Sequence, residues 1–118
     1  LGDTKSSLGP QLAAMIKPRG MRITPDDFPE RGYFYRSDHF SFAKGGIPAI
    51  SIGEGDDFIG RSKEWSRQQE EEYTIKRYHQ PGDQYDPTWD LRGAVQLSEI
   101  VLQFARQLGN SSTWPTWN

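Results

Sequence analysis

The chain runs to 118 residues, one domain's worth, with 34% apolar side chains and a net charge of −2 from 14 basic and 16 acidic groups. That balance offers no positive field to a phosphate backbone, so nucleic acid is excluded as a partner. No stretch approaches the ~18 apolar residues of a membrane span, and the first twenty residues lack the pattern of a signal peptide. The absence of cysteine excludes disulfides, thiolate zinc sites and a cysteine nucleophile.

Ser6 and Ser7 are placed to cap a short helix whose apolar positions Leu8, Leu12, Met15 and Ile16 share one face, with Pro18 and Gly20 ending it. Met21 to Thr24 reads as a brief strand, and Pro25 to Pro29, with two acids between the prolines, as an extended loop. After the aromatic Tyr33-Phe34-Tyr35, Ser37 or Asp38 caps a short helix through Lys44 that Gly45-Gly46 stops. Ile47 to Ile52 reads as a buried strand, Pro48 being tolerated near its first residue. Gly53 to Gly60 is a glycine-rich, acidic surface loop. Arg61 to Glu72 is strongly polar and reads as loop with one or two exposed helical turns.

Pro81, Gly82 and Pro87 break the next segment repeatedly. The last helix, over 90–108, is the clearest element: Leu91, Ala94, Val95, Leu97, Val101, Phe104, Ala105 and Leu108 form one stripe, with Asp90 at its start and Gly109 at its end. Residues 1–110 make the body and 111–118 a tryptophan-rich tail. The order of elements predicts an α/β fold, although two or three short strands make only part of a sheet. The last helix and strand 47–52 are expected to pack as neighbouring layers, with Leu97, Val101, Phe104, Ile50 and Ile52 in the core.

With no cysteine, the borderline metal ligands are His39 and His79. His39, at a helix start, reads first as a structural histidine bonded to a neighbour. His79, in a loop bounded by Pro81-Gly82, is balanced between packing and function. Asp38, Asp83 and Asp86 offer carboxylates to a histidine, a pairing that chance supplies in any acidic chain. Asp56-Asp57 lacks the spacing and closing glutamate of an EF-hand loop. Ser37-Asp38-His39 has the letters of a hydrolase triad, but adjacent residues do not line up nucleophile, base and orienter in one row.

Two strings go further: Arg36-Ser37-Asp38-His39-Phe40-Ser41-Phe42-Ala43-Lys44-Gly45-Gly46-Ile47-Pro48-Ala49, and Tyr78-His79-Gln80-Pro81-Gly82-Asp83. Together they resemble the C-terminal part of the co-catalytic di-zinc aminopeptidases, the family of the bacterial leucyl aminopeptidases and a relation of the glutaminyl cyclases. The similarity continues through Asp86 to Asp90 and the last helix. It implies the C-terminal portion of a three-layer α-β-α sandwich, a mixed sheet flanked by helices. It assigns His79 as a zinc ligand, Tyr78 as a catalytic hydroxyl holding the oxyanion, and Arg36 as the group that receives a substrate carboxylate. For Arg36 the alternative is a structural ion pair with a nearby acid. Asp38 and His39 match a motif that supports the site from behind the ligands, and Gly53 to Gly60 would border the pocket for the substrate's N-terminal side chain.

The resemblance also implies two zinc ions in the intact parent and none, or loosely bound zinc, in this chain. The family's His-x-Asp and Glu-Glu pairs have no counterpart in residues 1–35, and the Glu-Glu at 70–72 falls in the wrong order. The expected partners are therefore a peptide substrate and the remainder of the peptidase domain N-terminal to Leu1. Self-association through exposed strand edges is a further expectation, and the resemblance points to a secreted, periplasmic or cell-envelope location. A glutaminyl-cyclase-like transferase and a non-catalytic interaction domain are the alternative functions.

Overall fold

The computed structural model describes residues 1–118, and its first helix forms where the apolar spacing asks for one. Helix α1, Leu8–Ile16, buries Leu8, Leu12 and Ile16. Ser6 Oγ accepts from the Leu8 N–H at 3.3 Å. Pro18 lies in a 3-10 turn over 17–19, which Gly20 closes at φ 72°, a left-handed conformation that costs glycine little. Gly9 is required for a different reason: a Cβ there would lie 1.8 Å from the Asp3 carbonyl oxygen, because the N-terminal segment crosses α1 at that point.

Helix α2, His39–Lys44, is followed by Gly45 and by Gly46 at φ 84°. Neither expected cap operates there: Asp38 makes no capping bond, and the Ser37 hydroxyl donates back to the Tyr33 carbonyl at 3.1 Å. Helix α3, Lys63–Lys76, replaces the loop expected over 61–72. Ser62 caps it by accepting from the Trp65 N–H, Glu64 and Lys76 suit the two ends of the helix dipole, and Glu72 pairs with Lys76 at 3.0 Å. A run rich in Glu, Gln, Arg and Lys is a run of good helix formers, so missing amphipathicity concealed the element rather than preventing it. Helix α4, Arg92–Gly109, matches the expected last helix to within two residues at its start.

The α/β sandwich does not form. The chain is 48% helix and 2% strand with no sheet, and its one β-bridge joins Ser6 to Trp117. Residues 21–24 and 47–52, expected as strands, carry no regular secondary structure and no ladder. The second segment pairs with another extended stretch only at Ser51, where the Leu1 ammonium donates to the Ser51 carbonyl at 2.7 Å and the Ser51 N–H to the Leu1 carbonyl at 3.1 Å, while the Ile47 N–H donates back to the Phe42 carbonyl at the end of α2. A strand without neighbours has nothing to exchange hydrogen bonds with, so local propensity alone does not produce a sheet.

The core is the seam between α1 and α4: Leu8, Leu12, Ile16, Ile100 and Phe104 are buried together, with Met15, Met21, Ile23, Ile50, Ile52 and Leu108 packed around them. Of the residues expected in a strand-on-helix core, Phe104 is buried, Ile50 and Ile52 are half-buried against the joint α1–α4 cluster, and Leu97 is not part of it. Val101 does not join the core and is 42% exposed. The tail is fastened to the start of the chain, where the Ser7 N–H donates to the Thr116 carbonyl and the Asn118 N–H to the Lys5 carbonyl, and to the turn after α2, where Trp117 Nε1 donates to the Gly46 carbonyl.

Candidate functional site

Tyr78 and His79 follow α3, whose end is drawn tight by the Tyr73 carbonyl accepting from both the Arg77 and Tyr78 N–H groups at 2.8 and 2.9 Å. His79 has φ 56°, the one non-glycine residue with positive φ in the chain. Histidine is among the residues that tolerate this conformation, and here it reverses the backbone so that the imidazole stacks on the Tyr78 ring, centroids 3.9 Å apart and planes 21° from parallel. The turn is braced by Gln80, whose side-chain amide donates to the Ile75 carbonyl at 2.7 Å, and by the Asp83 N–H on the Gln80 carbonyl. Tyr73 closes it, its hydroxyl donating to Asp83 at 3.0 Å. That bond to a carboxylate pushes the Tyr73 phenol above its ordinary pKa. Tyr73 has no role in the sequence reading; its position five residues before Tyr78, at a helix end, is the signal that points to it.

Arg36 ends a 3-10 turn over 33–36 and is exposed. It forms no ion pair, so the structural alternative for it is not realised, and its one hydrogen bond is a 3.5 Å contact to the Arg31 carbonyl. His39 packs edge-on against the buried Phe34, ring centroids 4.8 Å apart. Both of its ring nitrogens are buried without a hydrogen-bond partner, so the expected bond to a neighbour is not made. Burial first, and the Leu1 ammonium second, push the imidazole below its ordinary pKa, while Asp38 acts in the opposite direction. No hydrogen bond, ion pair or ring contact joins the Arg36–His39 segment to the Tyr78–His79 turn.

The two segments are linked indirectly through Phe28 and α3. The Arg31 guanidinium lies over the Phe28 ring at 3.8 Å and reaches Glu70 at 3.7 Å, and Arg67 approaches the same ring. Beside them the Gly53–Gly60 loop is fastened to α3 by Asp56 and Lys63 at 3.2 Å. The hydrogen bond from Lys63 holds the Asp56 carboxyl below the usual carboxylate range.

A family model described as peptidase family M28 matches residues 1–105. The chain belongs to peptidase family M28. This bears out the resemblance carried by the Arg36 and Tyr78 strings, and it places the chain among peptide-bond hydrolases at the level of the family. No curated protein and no solved structure matches it.

Peptidase family M28 is generally zinc-dependent, and a protein zinc site takes three or four ligands. This chain's residues do not make one up: no group of three or more His, Asp or Glu side chains is placed to hold a metal. His79 is exposed at the turn, and Asp83, the nearest acid in its string, is engaged by Tyr73.

Proposed function

We propose that residues 1–118 are the substrate-facing C-terminal part of an M28 aminopeptidase that hydrolyses N-terminal peptide bonds. The observation that carries this reading is the Tyr78–His79 turn, in which a left-handed histidine and a phenol are presented side by side at an exposed helix end. Positive φ at a residue with a side chain persists where the surroundings enforce it, and such positions concentrate at functional sites. In this reading His79 contributes one imidazole toward zinc, and the other ligands come from polypeptide outside these residues. The chain alone is then inactive. The Tyr78 hydroxyl donates to the oxyanion that develops on the scissile carbonyl, and Arg36, with no acid partner, receives the substrate's carboxylate in its planar fork. Asp38 and His39 support the site from behind, His39 through its edge-on packing against Phe34 in the turn that carries Arg36. A secreted, periplasmic or cell-envelope location goes with the same proposal.

The test is hydrolysis of an aminoacyl anilide by a complete peptidase domain that contains these residues. His79→Ala should abolish activity, and Tyr78→Phe should lower kcat by roughly 10²–10³ with little change in KM, as for loss of one oxyanion donor. Wild-type turnover by the His79 variant would overturn the reading.

A further inference from the structure

The Arg36 segment and the Tyr78–His79 turn do not touch, yet one short route joins them. Phe28 and Arg31 stand at the two ends of a 3-10 turn, the Arg31 N–H on the Phe28 carbonyl at 2.9 Å. Side chains at that spacing eclipse in a 3-10 turn, and the guanidinium settles over the ring at 3.8 Å. Arg67 and Glu70 are also three residues apart, on α3, and so share one of its faces. The two pairs meet: the Arg67 guanidinium lies 5.8 Å from the Phe28 centroid, and Glu70 takes Arg31 at 3.7 Å. The reverse pairing would set Arg31 against Arg67 and the Glu70 carboxylate against the negative face of Phe28. Both contacts are repulsive, so the charges admit one register.

Arg31 belongs equally to the Arg36 side of this joint. Its carbonyl accepts from Arg36 at 3.5 Å and its guanidinium donates to the Tyr33 hydroxyl at 3.4 Å. Gly32, left-handed at φ 64°, turns the chain directly into the 33–36 turn. On the other side, Glu70 is followed by about 9 Å of continuous helix to Lys76, and then by the reversal that carries Tyr78 and His79. A helix transmits position as a rigid element, so where Glu70 is held decides where that turn stands.

We infer that Arg31 and Glu70 are positioning residues whose joint sets the span between Arg36 and the Tyr78–His79 turn. A fixed span selects substrates by length: the carboxylate must reach Arg36 while the scissile carbonyl lies at Tyr78. The substrate class that follows is the short peptide with a free C-terminal carboxylate. The inference rests on the roles proposed above for Arg36, Tyr78 and His79.

Steady-state kinetics of a complete peptidase domain containing these residues, on leucylglycine and on leucyl anilide, tests it. The anilide has no carboxylate and does not engage Arg36. Arg31→Gln and Glu70→Gln should each raise KM for the dipeptide by roughly three- to tenfold, with both constants for the anilide kept within about twofold. The double variant should be no worse than the worse single one, since each change opens the same joint. Arg31→Lys, which keeps a cation over Phe28 and toward Glu70, should restore most of the dipeptide affinity. Equal loss on both substrates would show a merely structural role and overturn the inference, as would additive effects in the double variant. An unchanged dipeptide KM in the Arg31 and Glu70 variants would overturn it too. In that case a raised KM in Arg36→Lys would leave the proposed role of Arg36 standing without the joint, and an unchanged one would remove both.

Discussion

The Tyr73 hydroxyl reaches the Asp83 carboxylate across 3.0 Å and thereby joins the last turns of α3 to the far side of the reversal that carries Tyr78 and His79. The pair is exposed, so its contribution to global stability is small, and its effect is local order. Tyr73→Phe should speed hydrogen exchange over residues 77–83 while leaving the α1–α4 core protected. Asp83→Asn should bring the Tyr73 phenol, held high by the carboxylate, back toward the ordinary tyrosine value in a titration followed by NMR. Unchanged exchange in the Phe variant would mean that the Gln80 bonds alone brace the turn.

Counting ligands leads to a prediction for the isolated chain. One imidazole does not retain zinc against dialysis when three or four ligands are the rule. Metal analysis after dialysis should find no stoichiometric zinc, and His79→Ala should leave that result unchanged. A firmly held equivalent would mean that His39, His79 and aspartates near them form a site the structure does not display.

Arg36 lacks an acid partner, which leaves its guanidinium available to a ligand. In a complete peptidase, Arg36→Lys should raise KM for dipeptides more than it lowers kcat, because a point charge replaces a fork. An unchanged KM would remove Arg36 from substrate binding.

His39 ties stability to pH. Its folded pKa lies below the ordinary histidine value, so the unfolded chain takes up the proton first as pH falls. The stability associated with the neutral ring is complete above the unfolded value near pH 6.5 and is lost progressively as pH drops from there toward the folded value. His39→Phe, which keeps an aromatic ring against Phe34, should flatten this part of the profile in urea unfolding at about pH 8 and about pH 5.5. Acetylating the Leu1 amine should flatten it in part, by removing the second cause of the shift.

Helices α1 and α4 were legible because their apolar positions recur at helical spacing and their ends carry Pro18, Gly20 and Asp90. The cap position itself falls on Leu91, without a side-chain capping bond; Asp90, one residue earlier, accepts from the Arg92 N–H at 3.1 Å, and its bonds to the Arg92 side chain and N–H hold its carboxyl pKa at about 2. The sheet was misread because Ile47 to Ile52 has the composition of a strand, while a ladder depends on neighbours that composition does not reveal. Helix α3 was misread for the opposite reason: it has no apolar stripe, and only Ser62 and its good helix formers announce it. In α4 the stripe read as a single face proved to be two, with Phe104 turned inward and Val95 turned outward. For the candidate site, the Arg36 and Tyr78 strings led to the family, whereas the left-handed turn at His79 is a backbone property that residue types do not encode.

The fastening of residues 116–118 onto residues 5–7 bears on the order in which the chain acquires its structure. Ser7 bonds to Thr116 across a separation of 109 residues, and closing a loop of that length costs about 4 kcal/mol of chain entropy beyond a constant. Contacts so remote in sequence form late, after local helices have shortened the effective loop. During synthesis at roughly 5–20 residues per second, the N-terminal segment waits on the order of 10 s for the tail to leave the ribosome. Over that interval the entry to α1, and with it the crossing of Asp3 over Gly9, lacks its final clasp, and the exposed apolar faces of the nascent chain are open to chaperones.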